Sequence, residues 1–372
     1  MKLILNQKDL LDGINIVSKA VPSKTTMPIL ECIVVMAEGD SIKLVANDMD
    51  LGIETYVDGM VDEDGAVALK GDIFFEIVRK LPTDEGDVTL DCNANLETVI
   101  SCGQAIFRIQ GLDAQDFSYL PEVEKEECLQ LTQLTLREAI RQTIFSISLN
   151  ESNKLMGGEL FESTGDELRV VSLDGHRMSI RKIKLKEEGP SIKVVVPGKS
   201  LIEINKILAD DNDKSVSIYV TKNHILFEFD QTTVVSRLIE GEYFRVEQMI
   251  SHDYDLKVKL NRKDFLEAIE RSIVLTKNDD KRPIVLQIGD DVIDMKMNTQ
   301  SGALKEQVEV EKTGKDILIG FNPKFLLEAL RIISEEEVCL YMSNPKAPCF
   351  IRDDDENYLY LILPVNFNAA TI

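Results

Sequence analysis

The stretch Leu5-Asn6-Gln7-Lys8-Asp9-Leu10-Leu11 returns near residue 260 as Leu260-Asn261-Arg262-Lys263-Asp264-Phe265-Leu266. A weaker copy, Leu131-Thr132-Gln133-Leu134-Thr135-Leu136, stands between them. In each copy a short apolar strand runs into a residue suited to cap a helix, Asp9, Thr135 or Asp264, and a helix is expected to follow. Apolar residues recur one and five positions past that residue: Leu10 and Ile14, Leu136 and Ile140, Phe265 and Ile269. Such spacing lays one buried stripe along each helix. The copies lie 126 and then 129 residues apart, a domain-sized interval. A chain of 372 residues has room for roughly two to four domains, and the repeat selects three. The expected boundaries are 1–126, 127–253 and 254–372.

Each repeat has two halves, and each half reads as strand, helix, then strands. Second-half helices are expected over 72–81, 199–208 and 323–334, after Gly71, Gly198 and Asn322. Alternating strands follow them at Val88-Thr89-Leu90, Val216-Ser217-Ile218-Tyr219-Val220 and Val338-Cys339-Leu340-Tyr341. Runs of strands joined by turns, rather than strands alternating with helices, make this an α+β chain with antiparallel sheets. The joints 111–128 and 241–254 are acidic and poor in Pro, Gly and Ser, which implies tight packing between repeats.

Charge is unevenly distributed. The six expected helices with their flanking turns carry 17 Lys and Arg against 12 Asp and Glu, a surplus of five on a chain of net charge −23, so the rest sums to −28. Lys and Arg are good helix formers on any solvated face. They would equally make one mildly basic surface on an acidic body, able to attract phosphates without reading bases. The six cysteines form no CxxC pair, and reduced thiols in a cytoplasmic protein are expected. No apolar run approaches a membrane span of about 20 residues, and the N-terminus lacks the apolar core of a signal peptide.

Motifs for chemistry are incomplete. Gly198-Lys199-Ser200 resembles the tail of a phosphate-binding loop, but position 193 is Lys where that loop needs Gly. Asp48-Met49-Asp50-Leu51-Gly52 lacks calcium-loop spacing, and Asp353-Asp354-Asp355-Glu356 reads as a solvated turn. The three histidines, His176, His224 and His252, stand at no metal-ligand spacing. No nucleophile elbow or kinase signature occurs, so no enzyme, cofactor or metal site is expected.

The middle repeat departs from the first at one place. Asp48 aligns with Asp174, but Gly175-His176-Arg177 replaces Met49-Asp50-Leu51. The reading there is a strand over 168–173, an Asp-Gly hairpin turn, His-Arg, and a returning strand over 178–183. The third repeat departs at its end, Leu361-Ile362-Leu363-Pro364-Val365, an apolar strand that either completes a core or lines a groove for a partner.

On Met27-Pro28-Ile29-Leu30, Leu173-Asp174-Gly175-His176-Arg177-Met178, Gly320-Phe321-Asn322 and the ending Leu361–Val365, over residues 1–367, the chain resembles the bacterial sliding clamp family, the beta subunits of DNA polymerase III. The resemblance implies three repeated clamp domains with helices lining a ring and antiparallel sheets outside. It implies a head-to-tail homodimer that encircles double-stranded DNA without sequence preference and confers processivity on the replicative DNA polymerase. A clamp loader and other clamp-binding-motif proteins would be further partners.

DNA-facing candidates on the helices and their turns are Lys24, Lys70, Arg79, Lys80, Arg137, Arg141, Asn150, Lys199, Lys206, Lys277, Arg282 and Arg331. Carried over by position, the family's partner-peptide pocket would use Met156, Leu173, Gly175, His176, Arg177 and Met178 of the middle repeat. It would add Phe244, Gln248 and Met249 of the joint, Asn322, Phe325 and Pro348 of the third repeat, and Leu361, Ile362, Leu363, Pro364 and Val365. The subunit interface would place Ile106 and Phe107 against Val274 and Leu275. Relatives often have Tyr-Pro-Asp where this chain has Tyr243-Phe244-Arg245, and a basic residue where it has Gln248. It also runs five residues past Phe367, and these departures bear on which peptides fit. A different class of reading is an acidic peptide-binding scaffold that never encircles DNA; a third is an enzyme built on Asp174, His176 and Arg177.

Overall fold

The computed structural model describes residues 1–83, 86–148, 150, 153–276, 282–353 and 355–368. Among them are six α-helices: α1 Gln7–Val17, α2 Gly71–Lys80, α3 Gln133–Thr143, α4 Gly198–Ile207, α5 Arg262–Ile273 and α6 Pro323–Ile332. The stripe residues Leu10, Ile14, Leu136, Ile140, Phe265 and Ile269 are all buried. Each such side chain contributes about 1.5–3 kcal/mol on leaving water.

The caps stand three residues earlier than the sequence suggested. Asn6 Oδ1 accepts from Lys8 N at 2.9 Å, and Asn261 Oδ1 accepts from Lys263 N and Asp264 N at 2.9 and 3.2 Å. Thr132 Oγ1 accepts from Thr135 N at 3.1 Å. Asn6 and Asn261 have extended backbones, so their side chains curl back onto the first free N–H groups. Asp9 and Asp264 lie inside the first turn, where their charge meets the positive end of the helix dipole.

The chain folds into two compact units. The first comprises Met1–Arg137, Lys186–Pro190 and Lys199–Leu238. It holds a five-stranded sheet in the order Gly59–Glu63, Lys2–Leu5, Val88–Cys92, Glu97–Cys102, Ala105–Gln110. It also holds an eight-stranded sheet running Cys128–Thr132, Ser215–Val220, His224–Phe229, Thr232–Arg237, Leu51–Val57, Ser41–Asn47, Cys32–Glu38, Gly65–Lys70. The second unit comprises Glu138–Leu185, Ser191–Gly198 and Ile239–Ile372. Its twelve-stranded sheet runs Ile192–Pro197, Gly158–Ser163, Glu167–Leu173, Arg177–Lys184, Tyr358–Ile362, Cys349–Arg352, Glu337–Met342, Leu256–Asn261, Gly302–Gly314, Val292–Thr299, Ile284–Ile288, Ile317–Phe321.

Two junctions between repeats explain these long sheets. In the first unit, the last strand of the second repeat pairs antiparallel with a strand of the first, Thr232 opposite Thr55 through Ser236 opposite Leu51. In the second unit, the last strand of the third repeat does the same to the second, Tyr358 opposite Arg181 through Ile362 opposite Arg177. Adding 126 to each residue of the first register gives the second, so the two junctions are built alike. The middle repeat therefore contributes strands to both units.

Candidate partner-binding groove

The second junction carries the residues singled out in the middle and third repeats. The Glu167–Leu173 and Arg177–Lys184 strands are joined by a turn in which Gly175 has φ +86°, a conformation that favours glycine. Asp174 fixes this turn: one oxygen accepts from His176 N and Arg177 N at 2.9 and 3.1 Å, the other from Arg177 Nε at 3.0 Å. Because the aspartate binds the backbone of His176 and the side chain of Arg177, these three residues do not form a carboxylate–imidazole pair. The His176 ring instead stacks on Phe325 of α6, centroids 6.3 Å apart.

Arg177, a pocket candidate, is only 8% exposed. Its guanidinium lies 4.2 Å from the Phe325 centroid and 5.5 Å from that of Phe145, and it donates to Glu328 of α6. Burial alone would lower its pKa; Tyr360, Glu328 and Asp174 around it leave it raised, so it stays cationic. Tyr360, fully buried, donates to Phe325 O at 3.0 Å. A buried, stacked and ion-paired arginine thus holds the hairpin end against α6.

Around this anchor the other candidates divide by exposure. Leu173, Met178 and Leu361 are buried in one apolar cluster, with Met156 and Phe244 packed on it. Gln248 and Met249 are exposed on the short turn Val246–Met249. Asn322 caps α6, accepting from Lys324 N at 3.0 Å, and Pro348 is half-buried. The last strand ends at Ile362, not at Val365. Leu363 N still donates to His176 O, and Val365 N to Gly320 O, both at 2.8 Å. Ile362 is fully buried in the core below, whereas Leu363 is 38% exposed. Pro364 and Val365 are half-buried, and Phe367 packs so closely on Gly320 that a Cβ there would lie 2.7 Å from its ring. Met178 and Leu361 thus lie buried with Phe244 packed on them, His176 stacks on Phe325, and Leu363, Met249 and Gln248 remain exposed. At the first junction Gly52 takes the place of Met178, and Leu120 lies directly over it, 1.6 Å from where a Cβ would be. That site fills itself.

Two features escaped the sequence reading. Glu159, three residues beyond Met156, is fully buried with both carboxyl oxygens unpartnered, and burial pushes its pKa well up. The second is a cavity of about 110 Å³ lined by Arg169, Ile180, Lys182, Ile250, His252, Arg352, Glu356, Tyr358 and Leu359. Its signal was present: strand alternation puts Ile180 and Lys182 on the face of Met178, and Leu359 on the face of Leu361.

The DNA-facing candidates sit on or beside the helices. Lys24, Lys70, Arg79, Lys80, Asn150, Lys199, Lys206 and Arg331 are exposed, and Arg137, Arg141 and Arg282 are half-buried; Lys277 lies outside the described residues. Several are already neutralised: Lys70 by Glu31, Arg79 by Glu76, Arg137 by Asp210, Arg141 by Glu138, Lys206 by Glu203 and Arg331 by Glu270. Among the described residues Lys24, Lys80 and Lys199 make no ion pair. Ile106, Phe107 and Val274 are 62%, 38% and 82% exposed, unusual for side chains of this kind, and Leu275 packs partly onto the second unit's core. All six cysteines are free, no metal-binding group of side chains exists among the described residues, and no helix there is long and apolar enough to cross a membrane.

Repeated strand–helix–strand units joined by continuous antiparallel sheets are the DNA clamp fold. Three family models match along the chain: the N-terminal domain of the DNA polymerase III beta subunit at residues 1–121, its central domain at 130–244, and its C-terminal domain at 247–366. The beta sliding clamp of Staphylococcus epidermidis is 31% identical over 376 residues, covering 98% of this chain and 99% of that one. A structure from Eubacterium rectale assigned to the DNA polymerase III beta subunit is 57% identical with a TM-score of 0.95, covering 99% of this chain and 100% of that one. The Bacillus subtilis sliding clamp structure is 31% identical with a TM-score of 0.94 over the same shares. The chain belongs to the DNA polymerase III beta subunit family, the sliding clamps that serve as processivity factors in DNA replication.

Proposed function

We propose that two copies of this chain close head to tail into a ring around duplex DNA, and that the groove at the second junction holds short peptides of the replicative polymerase, the clamp loader and other partners. The carrying observation is the shared register of the two junctions. The Ala105–Gln110 strand is the first repeat's counterpart of Thr232–Arg237 and Tyr358–Ile362, and it ends its sheet, with no strand on its outer side among the described residues. Matching the buried residues Ile42, Leu44 and Ala46 with Ile293, Met295 and Met297 puts Gly302 where Leu51 and Arg177 stand. The Gly302–Gly314 strand spends its C-terminal half on Leu256–Asn261, so its N-terminal half has an open edge. Gln110 of one copy then faces Gly302 of another, and Ile106 faces Glu306. Leu275 lies beside this edge, 3.5 Å from a Cβ placed on Gly302. Each copy has one edge of each kind, so two copies saturate both and stop.

Such a ring has three domains per copy, proposed at 1–126, 127–253 and 254–372, and twelve helices around its hole. At about 10 Å between axes they make a circle about 38 Å across, leaving about 28 Å inside the side chains. A duplex about 20 Å wide passes with water around it. The role is non-catalytic and cytoplasmic: the ring tethers, and the polymerase supplies the chemistry. Cysteines at Ile106 and Glu306 test the register. Oxidation should convert the purified protein into a dimer covalently closed at both joints; no cross-link, or one only in higher polymers, contradicts the proposal.

A further inference from the structure

We propose that the cavity beyond Met178 is a second subsite, one that takes a carboxylate side chain from the same partner peptide whose apolar residues enter the groove. This rests on the groove reading above and adds to it a charge requirement. Ile180 and Leu359 lie two strand positions from Met178 and Leu361, about 7 Å along the sheet, which two or three residues of extended peptide span. The joint that packs Phe244 and Val246 onto the cluster of Met178 and Leu361 goes on to wall the cavity with Ile250 and His252. The 110 Å³ space equals roughly three to four water volumes, enough for a carboxylate on a short stem.

The lining matches such a side chain at both ends. Ile180, Ile250 and Leu359 offer apolar wall to the stem. For the charge, Arg169 is already spent, paired with Glu162 and with Glu247. Arg352 is 8% exposed: it stacks on Phe350 and Tyr341 at 5.0 and 5.7 Å, its Nη2 donates to Ser251 O, its Nη1 lies 3.3 Å from His252 Nδ1, and its buried Nε has no partner. Lys182 forms no ion pair among the described residues. Against these two cations stands Glu356, 57% exposed, whose carboxylate is 3.9 Å from Arg352 and 4.0 Å from His252. Both separations exceed a hydrogen bond, so Glu356 is loosely held at the mouth of the cavity. It occupies the place of the incoming carboxylate and competes with it. Asp353 faces Arg181 at 3.9 Å. A basic side chain entering here would meet Arg352 and Lys182, with Glu356 the acid among the described lining residues.

The test uses labelled peptides from the C-terminus of the replicative polymerase of the same cell, with Glu or Gln set two, three or four residues to either side of the apolar anchors. At one placement Glu should bind about three- to fivefold tighter than Gln, the worth of a partly exposed ion pair. Raising NaCl from about 50 to about 500 mM should erase that gain. Lys182→Gln should abolish the gain and leave the Gln peptide's affinity unchanged. Glu356→Ala should increase it, an effect no merely structural role for Glu356 predicts. If the peptides bind but no placement separates Glu from Gln, or if neither variant alters the gain, the subsite is refuted and the groove stands. If none of the peptides binds, the groove reading falls and this inference with it.

Discussion

Replacing Phe107 with Asp should take the proposed dimer apart without unfolding the chain. Phe107 and Ile106 lie on the edge strand of their sheet, 38% and 62% exposed, and Val274 on the proposed complementary side is 82% exposed. A fully buried side chain of these types is worth about 1.5–3 kcal/mol, so the fractions still exposed hold roughly 1–2 kcal/mol for Ile106, about 1 for Phe107 and 1–2 for Val274. Each interface would thus draw about 4 kcal/mol from these three residues. Phe107→Asp forfeits its own share and leaves a carboxylate to be desolvated, at a cost of several kcal/mol more. The loss approaches the whole apolar contribution, near 4 kcal/mol, at each of the two interfaces of the proposed ring, so dimerisation should weaken by at least about a thousandfold. Val274→Asp is the matching change on the other side and is cleaner than Leu275→Asp, since Leu275 also packs on its own core. Sedimentation equilibrium at micromolar concentration should show wild-type dimers and variant monomers, with thermal unfolding of the variant unchanged. A Phe107→Asp dimer as tight as the wild type would refute the placement of the interface.

Other outcomes follow from the same geometry. Reversing Lys24, Lys80 and Lys199 to Glu should slow loading onto DNA and flatten its salt dependence, and should do so more than reversing Arg137, Arg141 and Lys206, which are already ion-paired; equal effects, or a base-sequence preference in the wild type, would count against phosphate-only contacts. Removing residues 365–372 takes away the strap that Val365 and Phe367 make over Gly320, and should cost at least about tenfold, or 1.4 kcal/mol, in affinity for a labelled polymerase peptide. Removing 369–372 alone, which lie outside the described residues, should do far less. Burial raises the Glu159 pKa in the folded protein above its usual 4.5, so folding takes up a proton as pH rises past 4.5 and stability drains away until the folded group itself ionises. Glu159→Gln should therefore match the wild type in thermal stability at pH 4 and exceed it at pH 8, by up to about 1.4 kcal/mol per pH unit over that window; curves that stay parallel would show that Glu159 is not the group responsible.

Local structure was legible where local physics decides it. The stripe Leu10/Ile14 and its two copies located the helices, yet their caps were misplaced by three residues. A three-residue slip hardly changes which residues face inward, and Asn and Asp both suit a cap, so only the hydrogen bonds of Asn6 and Asn261 decide. What joins the repeats was not legible. Thr55 meets Thr232 across 177 residues, at a hydroxyl–hydroxyl distance of 2.8 Å, and no short-range pattern announces it. The residues proposed for the groove came mainly through the resemblance, and the strand at its edge was read too long. Alternation puts Leu361 and Leu363 on one face, but Phe350 lies opposite Leu361 whereas Leu363 has passed the end of the ladder and stays exposed. The burial of Arg177 was not legible because the rings that enclose it, Phe145 and Phe325, come from other helical segments. The cavity beyond Met178 needed the 241–254 joint laid over the sheet, and nothing in that joint's composition fixes its path.

The claim that the chain tethers by encirclement is tested most directly by topology. The dimer, assembled by its loader on a nicked circular plasmid, is challenged with high salt and then with one restriction enzyme. Protein that resists about 1 M NaCl on the circle cannot be held by phosphate contacts, which such salt dissolves. It should then leave within minutes of linearisation and stay when both ends are blocked by bound protein. Release from the circle by salt, or equal retention on the open linear form, would contradict the ring.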